Sequence, residues 1–395
     1  MIIVAGEALI DLVPAEPAAD ASGTGGGRSD EGTRPGPNSG AEAGSSGGRS
    51  RDGGTRAGAE PVGTEPGGGH RDGGTHTGAE HSAGTGRSGG RHPRTGAPAA
   101  PAPELPALRP RRGGGPYNTA IALARLGSPA AFCSRLSTDH FGEALLDGLA
   151  ADGVDTSLVQ RGPEPTTLAV AHIGADGSAA YSFHVEGTAD RLFRTPETLP
   201  AAARAVSFGT CSLVLEPGAS AYEELLRRAS DGGLFTALDP NIRPGLIPDA
   251  DAYRSRFRSW LPYVTLLKLS EEDAAWLAGP ADPAAAVRQW LAAGPYAVVL
   301  TRGGAGLTVL TRDGLELSVP GEKVTVVDTI GAGDTVNAAL LHRLDGHAAL
   351  TPSPSLTAEQ WRDTLAYAAH AAAATCSRAG AQPPYAAELA VPAAV

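Results

Sequence analysis

The sequence predicts an α/β fold in which a mostly parallel β-sheet is covered by helices on both faces. From residue 205 to residue 300, short apolar runs alternate with longer segments of helical periodicity, which is typical of consecutive βαβ units. Between residues 167 and 185, two runs of alternating polar and apolar residues flank a Gly-Ala-Asp-Gly turn. They predict a β-hairpin in a sheet with one open face.

The individual elements follow from hydrophobic periodicity and from the glycine and proline residues between them. The N-terminal run from Ile2 to Gly6 is rich in branched apolar residues, which indicates a buried strand. The glycine run at 113–115 precedes a helical pattern and would let the backbone approach a ligand closely. The predicted strands span 2–6, 130–134, 167–173, 179–185, 205–208, 235–238, 264–267, 297–300, 306–311 and 315–320. The predicted helices span 119–126, 141–152, 220–230, 250–259, 271–278, 283–293, 334–344 and 357–376.

A long low-complexity segment interrupts this pattern near the N-terminus. From Glu16 to about Ala107 the sequence contains no Phe, Trp, Tyr, Met or Ile, and Val62 is its single valine. Such a segment cannot bury enough apolar surface to offset the conformational entropy lost on ordering. Residues 16–107 are therefore predicted to be a disordered insertion rich in Gly, Arg, Ser and Pro. Residues 1–14 and 108–390 are expected to form a single domain.

Composition and charge exclude several classes of protein. The formal net charge of -11 argues against nucleic acid as the main ligand, because proteins bind phosphate backbones with excess Lys and Arg. The three cysteines lack metal-ligand spacing and fit buried thiols in a reducing compartment. No apolar run approaches the roughly 20 residues that span a bilayer, and no secretory signal pattern opens the chain. We expect a cytoplasmic protein without nucleic-acid or membrane partners.

The segment Asp328-Thr-Ile-Gly-Ala-Gly-Asp334 places small residues immediately before a helical pattern. Backbone N–H groups of Gly331, Ala332 and Gly333 at a helix N-terminus would form a site for an anion such as phosphate. The Asp334 carboxylate at the same place can accept a proton from a hydroxyl group. A simpler alternative is a glycine turn in which Asp334 caps the helix.

A second glycine cluster lies more than two hundred residues earlier, and the two together resemble the PfkB, or ribokinase-like, carbohydrate kinase family. The opening Gly6-Glu-Ala-Leu-Ile-Asp11 resembles the family's first strand and its sugar-binding aspartate. Gly114-Gly115 with Asn118 resembles the first family motif, and residues 328–334 resemble the second. The resemblance extends over the chain apart from the insertion. No Gly-x-x-x-x-Gly-Lys-Ser/Thr loop is present, which excludes a P-loop kinase.

The resemblance implies a role for each matching position. Asp334 would be the catalytic base, with an anion hole for the γ-phosphate formed by Gly331, Ala332 and Gly333. The sugar would be held by Asp11, Gly114, Gly115, Asn118 and Arg243. By residue type alone, Asn118 could instead cap a helix and Asp11 could be a turn residue. Arg243 lies in Asp239-Pro-Asn-Ile-Arg243, which resembles an element of fructokinases and 2-keto-3-deoxygluconate kinases, and a solvated turn is an equal alternative.

On the nucleotide side, Lys268-Leu-Ser-Glu271 occupies the place of the family's Asn-x-x-Glu element. Lys replaces Asn there and could pair directly with an ATP phosphate. Glu271 would act on Mg²⁺ through water, or it could simply open a helix, where an acid favours the dipole. The resemblance assigns a further set of residues to the ATP site: Thr301, Gly303, Gly304, Gly306 and His370. A lone helical histidine such as His370 is more often structural than a ligand.

The resemblance implies a three-layer αβα sandwich with a small β-sheet lid formed by residues near 8–14, 105–112 and 166–186. The implied reaction is transfer of the ATP γ-phosphate to a primary hydroxyl of a sugar, with Mg²⁺ and with a monovalent cation such as K⁺ left open. Fructose is the first choice of acceptor, and 2-keto-3-deoxygluconate, ribose or a nucleoside are alternatives within the family. A non-catalytic sugar- or nucleotide-binding regulator and an interaction protein acting through the insertion are alternatives from other classes. A homodimer formed through the lid is expected.

Overall fold

A nine-stranded mixed sheet forms the middle layer of the protein. The computed structural model describes residues 1–15, 107–173 and 179–390, so the predicted disordered insertion lies outside the described residues except at Ala107. The strands of the described residues are β1 (Ile2–Ala5), β2 (Leu9–Pro14), β3 (Leu108–Gly113), β4 (Ala130–Ser137), β5 (Val159–Gly162), β6 (Leu168–Ile173), β7 (Ala179–His184), β8 (Ala205–Gly209), β9 (Phe235–Asp239), β10 (Leu266–Ser270), β11 (Ala297–Thr301), β12 (Leu307–Thr311) and β13 (Glu316–Val319). The helices are α1 (Gly115–Arg125), α2 (His140–Ala151), α3 (Gly218–Asp231), α4 (Ala250–Trp260), α5 (Glu271–Ala278), α6 (Pro283–Ala293), α7 (Ala332–Gly346), α8 (Ala358–Cys376) and α9 (Ala386–Leu389). None of these helices is long and apolar enough to cross a membrane.

The strand order of this sheet is β13-β12-β11-β10-β9-β8-β1-β4-β5. All neighbours from β11 to β5 pair in parallel, whereas β12 and β13 are antiparallel. Because the chain leaves β1 towards β4 on one side and later continues through β8 on the other, strand order reverses at β1. Open α/β sheets bind ligands in the crevice beyond the carboxyl ends of strands at such a point.

Successive residues of the central strands enter two cores on opposite faces of the sheet. Ile2 and Val4 pack into one core with α1, α2, α7 and α8, and Ile3 and Ala5 pack into the other with α3 to α6. Trp361 and Trp260 are fully buried, one in each core. Replacing either by alanine would cost about 3–5 kcal/mol. Burial on both faces confirms the three-layer αβα sandwich.

A second, four-stranded sheet has the order β3-β2-β6-β7. Strand β2 pairs antiparallel with β3 and parallel with β6, so that Asp11 lies opposite Arg111 on one side and Ala169 on the other. Strands β6 and β7 form the predicted hairpin. The small sheet expected from the sequence is therefore present, and it contributes Asp11, Tyr181 and Phe183 to a cavity at the crevice.

Several elements differ from the sequence prediction, among them the following three. Helix α1 begins at Gly115 rather than residue 119, with Pro116 in its first turn, where a missing N–H costs nothing. Strand β10 spans Leu266–Ser270 rather than 264–267, which places Lys268 inside the strand. The short strand β5 shows no clear alternation of polar and apolar residues, so the sequence did not predict it. In the structure it forms through parallel pairing with β4.

Candidate active site

The glycine turn before α7 has the geometry of an anion site. Gly331 is the N-cap residue in the left-handed conformation, with φ of 79°. A side chain there would bring its Cβ within 2.7 Å of Ala381 Cβ, so glycine is required on both counts. The first helical bond runs from the Thr335 N–H to the Gly331 carbonyl. The amides of Gly333 and Asp334 precede it and have no helical acceptor, which leaves them available to a phosphate oxygen.

Asp328 fixes this turn from behind. Its Oδ1 accepts a hydrogen bond from the Ile330 N–H at 3.0 Å, and its Oδ2 accepts one from the Gly380 N–H at 2.7 Å. These charge-assisted bonds connect the turn to the segment that follows α8. The anion site is therefore held by side-chain contacts in addition to the helix.

Asp334 is the third residue of α7 and does not act as its cap. It is 7% exposed, and its Oδ2 accepts a hydrogen bond from Asn118 Nδ2 at 2.9 Å. Burial raises the pKa of Asp334 to about 6, with a further upward contribution from the Asp239 carboxylate, while Asn118, Lys268 and Arg243 oppose the rise. A carboxylate with this pKa is ionised at neutral pH and is a stronger base than an ordinary aspartate. The simple capping alternative is wrong for Asp334.

A polar cavity of about 230 Å³ opens beside Asp334 at the carboxyl ends of β1, β8 and β9. Eight predicted site residues line it: Asp11, Gly114, Gly115, Asn118, Arg243, Gly331, Gly333 and Asp334. Burial raises the pKa of Asp11 to about 6, and the Arg243 guanidinium moderates that rise. A cavity with carboxylate, amide and guanidinium groups suits a small polyhydroxylated molecule.

Glycines in this wall allow close approach of neighbouring groups. Gly114 has φ of 106°, and a Cβ there would lie 2.8 Å from the Glu7 carbonyl oxygen. A Cβ on Gly115 would lie 3.2 Å from Asp334 Oδ1 and 2.5 Å from Thr210 Oγ1. Any larger residue at these two positions would therefore displace groups that border the cavity.

A second cavity, of about 270 Å³, lies on the other side of the glycine turn and has mostly apolar walls. Four predicted nucleotide-side residues line it: Thr301, Gly303, Gly304 and Gly306. Alanines of α8 together with Val324, Val326 and Val336 also line this cavity. Such a slot suits a flat heteroaromatic ring.

The two cavities meet at Thr329 and Gly333, which line both. Ala332 lies on the side of the apolar cavity, and Asp334 lies on the side of the polar one. A group held by the turn amides would thus lie between a molecule in each cavity. This arrangement is that of a transfer reaction, with Asp334 beside the acceptor.

Lys268 is held in a buried ion pair beside the turn. Its Nζ lies 2.7 Å from Asp239 Oδ2, and both side chains are nearly inaccessible to water. Burial alone would lower the pKa of Lys268, but the Asp239 carboxylate overcomes this effect and raises it, so the ammonium stays charged. A Cβ on Gly333 would lie 3.1 Å from this Nζ. Lys268 therefore lies beside the glycine turn before α7 and is paired there with Asp239.

Besides Lys268, two predicted residues lie outside the walls that the described residues give to either cavity. Glu271 is the first residue of α5, and its Oε1 accepts a hydrogen bond from Arg302 Nε at 3.0 Å. His370 bonds through Nδ1 to Glu322 Oε2 at 2.7 Å, and Glu322 rather than His370 lines the apolar cavity. The structure thus brings most of the predicted residues together but leaves these two at the margin.

Sequence reasoning missed several residues of the polar cavity. Thr210 and Cys211 follow β8, Asn241 follows β9, and Tyr181 and Phe183 lie on β7. Arg243 donates hydrogen bonds to the backbone and side-chain oxygens of Asn241 at 3.1 and 2.8 Å. For Thr210, Cys211 and Asn241 the available signal was their position just beyond predicted parallel strands, where ligand-binding residues collect. Tyr181 and Phe183 lie within a strand of the predicted hairpin, where this signal does not apply.

The fold and this two-cavity site define a small-molecule kinase. The model of the pfkB family carbohydrate kinases matches residues 95–388. A fructokinase of Rhizobium leguminosarum bv. trifolii is 40% identical over 237 residues, which are 60% of this chain and 72% of that protein. Fructokinase-1 of Oryza sativa subsp. japonica is 32% identical over 286 residues, which are 71% of this chain and 87% of that protein. The fold is also that of the fructokinase from Xylella fastidiosa with bound ATP, with a TM-score of 0.70, 24% identity and coverage of 98% of this chain and 96% of that one.

The chain belongs to the pfkB family of carbohydrate kinases. It is an ATP-dependent sugar kinase, and within that family it is a fructokinase-like member.

Proposed function

We propose that this enzyme transfers the γ-phosphate of ATP to a primary hydroxyl of fructose. The observation that carries the proposal is that the polar and apolar cavities meet at Gly333, with the buried Asp334 carboxylate on the polar side. Curated relatives that are 31–40% identical are named fructokinases. The crystal structure of a fructokinase double mutant from Vibrio cholerae O395, which is 24% identical to this chain, contains fructose, ADP and a potassium ion. These names favour fructose over 2-keto-3-deoxygluconate, ribose or a nucleoside.

In the proposed step, the sugar hydroxyl loses its proton to Asp334 while its oxygen attacks the γ-phosphorus. A new O–P bond forms, the bond from the γ-phosphorus to the β–γ bridging oxygen breaks, and ADP leaves with that electron pair. Amides of Gly331, Ala332 and Gly333 are proposed to stabilise negative charge on the transferring group. The Ala332 N–H would exchange its 3.3 Å bond to the Thr329 carbonyl oxygen for a phosphate oxygen, and the free Asp334 amide adds a further donor. Asp11 and Arg243 hold and orient the sugar, together with Gly114, Gly115 and Asn118.

Lys268 is proposed to bind a phosphate oxygen of ATP beside the glycine turn. The ion pair with Asp239 holds its ammonium beside Gly333, within reach of a phosphate oxygen bound by the turn amides. A fixed positive charge in a water-excluded site stabilises developing phosphate charge far more than it would in water. The sequence already allowed Lys268 to pair with an ATP phosphate, and in this proposal Asp239 is the residue that positions the lysine.

Thr301, Gly303, Gly304 and Gly306 are proposed to hold the nucleotide in the apolar cavity. His370 is proposed to contribute from the margin, through Glu322. Mg²⁺ is the proposed divalent ion, since it binds one or two carboxylates, several waters and substrate phosphates. Glu271 is the proposed carboxylate, acting through water, and no cluster of three or more acidic, His or Cys ligands exists among the described residues. When bound, the ion neutralises phosphate charge. Turnover assayed with and without K⁺ tests whether a monovalent cation is needed as well.

The domain organisation and assembly are proposals as well. Residues 1–14 and 108–390 would form the kinase domain, with the small sheet as a lid and residues 16–107 as a disordered insertion. A homodimer through the lid is proposed because β3 is exposed along most of its length. Light scattering should give twice the chain mass, and a monomer mass alone would refute the dimer. Dependence on ATP suggests the cytoplasm as the site of the reaction.

The acceptor is tested by ADP release over a panel of fructose, ribose, 2-keto-3-deoxygluconate, tagatose 6-phosphate and adenosine. We expect fructose to give the highest kcat/KM. Turnover with another acceptor and none with fructose would overturn the fructose assignment but leave the kinase intact. ADP release that is independent of every acceptor, or its absence throughout, would support a binding protein rather than a kinase.

A further inference from the structure

A third cavity lies between the small sheet and helices α1 and α2, outside the proposed sugar and nucleotide sites. Its volume is about 620 Å³, against about 230 Å³ for the polar cavity beside Asp334. Arg111 and Arg112 of β3 border it on one side, and His140 and Phe141 at the start of α2 border it on another. Nothing in the proposed reaction uses these four residues.

The charged groups of this cavity leave an excess of positive charge. Arg125 is neutralised by Asp152, since its Nε and Nη2 lie 2.8 and 3.1 Å from the two carboxylate oxygens. Within the described part of the chain, Arg111 and Arg112 have no carboxylate within ion-pair distance. Among the described residues, the Arg112 guanidinium donates a hydrogen bond through Nη1 to the Ala144 carbonyl oxygen at 3.4 Å, which is a weak bond. Two guanidinium groups therefore remain available for an oxyanion.

This charge matches one phosphomonoester. A phosphate group on an organic molecule carries about −1.5 to −2 charges at pH 7, and arginine binds it through paired N–H donors. Ile121 and Phe141 add apolar wall against which a small molecule can pack, and His140 and Gln382 also line the cavity and offer hydrogen-bonding groups for sugar hydroxyls. The volume is in the usual range for small-molecule sites, about 300–1,000 Å³.

We propose that this cavity binds a sugar phosphate, whose phosphate is held by Arg111 and Arg112. The ligand would connect the lid to the rest of the enzyme, because β3 carries both arginines and α1 and α2 form the opposite walls. Strand β3 pairs with β2, where Asp11 lies directly opposite Arg111. Asn118 borders both this cavity and the sugar cavity and bonds to Asp334.

Occupation of the cavity would therefore be coupled to acceptor binding, a consequence that rests on the proposed function. A ligand that contacts β3 and α2 together would restrain the small sheet that carries Asp11, so it should lower the KM for the acceptor. By thermodynamic linkage, the acceptor should tighten the binding of the sugar phosphate by the same factor. We expect a factor of about 5 or more, the low end of typical couplings.

The binding claim is tested by calorimetry on the full chain, without turnover. The probe is glucose 6-phosphate, and a saturating non-hydrolysable ATP analogue fills the nucleotide cavity. We expect one site per chain, at least tenfold weaker binding in Arg112→Gln, and at least a hundredfold weaker binding in Arg111→Gln/Arg112→Gln. Arg109→Gln is the matched control, because Arg109 lies on the same exposed strand outside the cavity walls. Arg243→Gln reports on binding in the sugar cavity.

Unchanged binding in Arg109→Gln and Arg243→Gln, with loss in the Arg111 and Arg112 variants, supports the site. Loss in Arg243→Gln with retention in the double variant would show that the probe binds in the sugar cavity, and would overturn the proposal. Equal affinity in every variant, or no binding to the parent enzyme, would also overturn it. Inorganic phosphate that binds as tightly as glucose 6-phosphate would contradict a site for the sugar body. These results do not depend on which acceptor is phosphorylated.

Discussion

Replacing both members of the Lys268–Asp239 ion pair should leave the fold intact and slow phosphoryl transfer. The two charges are 2.7 Å apart and almost fully buried. Removing one partner alone, as in Lys268→Met, leaves a buried carboxylate without compensation and should cost about 3–5 kcal/mol of unfolding free energy. This is a large share of the roughly 5–15 kcal/mol available to a folded protein. The double variant Lys268→Met/Asp239→Asn removes the unpaired charge as well, so its stability should return to within about 1 kcal/mol of the parent.

Catalysis should not recover in the same way. The Lys268 ammonium lies beside Gly333 in the phosphate turn, and loss of one group that stabilises transition-state charge typically lowers kcat by about 100- to 1,000-fold. The assays are thermal denaturation for stability and coupled ADP release for kcat with saturating ATP and fructose. We expect the single Lys268 variant to lose stability and rate, and the double variant to lose rate alone.

A surface ion pair provides the matched control. Arg288 and Glu316 lie 3.0 Å apart with more than half of each side chain exposed, so Arg288→Gln/Glu316→Gln should change stability by less than about 1 kcal/mol and leave kcat unaltered. A Lys268→Met/Asp239→Asn enzyme that keeps kcat within about threefold of the parent would refute the catalytic role. A double variant as unstable as the single variant would refute the charge argument for stability.

Three further predictions concern the turn and the buried carboxylates. Since Asp334 must be ionised to act as a base and its pKa is raised to about 6, kcat/KM should fall as pH drops below about 6. The hydrogen bond from Asn118 lowers the pKa of Asp334, so its removal in Asn118→Leu should raise that pKa and shift the acidic fall of the pH–rate profile to higher pH. An acidic fall at the same pH as in the parent would contradict the assignment. Burial raises the pKa of Glu7 from 4.5 to about 7. At about 1.4 kcal/mol per pKa unit, ionisation of Glu7 therefore lowers the stability of the folded state by about 3 kcal/mol as pH rises between those values. Glu7→Gln should flatten the fall in melting temperature from pH 5 to pH 8, and parallel curves for parent and variant would refute this. Gly331→Ala should lower stability by about 1–3 kcal/mol and reduce kcat, because φ is 79° and the new Cβ meets Ala381; a denaturant melt and turnover like those of the parent would contradict the strain.

The sequence was sufficient where local pattern and global fold agree. The continuous apolar run of β1 predicts a buried strand, and the structure distributes its residues alternately between two cores. The run 328–334 predicts an anion site at a helix start, and the observed helix begins at Ala332. In both cases the deciding physics is short-range: side-chain alternation in a strand and free amides at a helix end.

Contacts between distant segments could not be derived in this way. The pairing of Lys268 with Asp239 depends on β9 and β10 being adjacent in the sheet, and nothing in either segment shows that the lysine would be neutralised by that particular carboxylate. His370 lies one residue from Ala369, which borders the apolar cavity, yet its own ring bonds to Glu322. Neighbouring residues of a helix point in directions that differ by roughly 100°, so Ala369 can border the cavity while His370 does not. A helix predicted from sequence does not fix the rotation of the helix well enough to distinguish these two residues.

The most direct measurement is the rate of phosphate transfer from γ-labelled ATP to fructose by the parent enzyme and by Asp334→Asn. Asparagine preserves the shape of the side chain but cannot accept the hydroxyl proton, and Asp147→Asn, at an exposed position of α2, is the control for the same chemical change. We expect labelled fructose phosphate from the parent and from the control at similar rates, and at least a thousandfold less from Asp334→Asn. A parent enzyme that leaves fructose unlabelled, or an Asp334→Asn enzyme that labels it at the parental rate, would contradict the account.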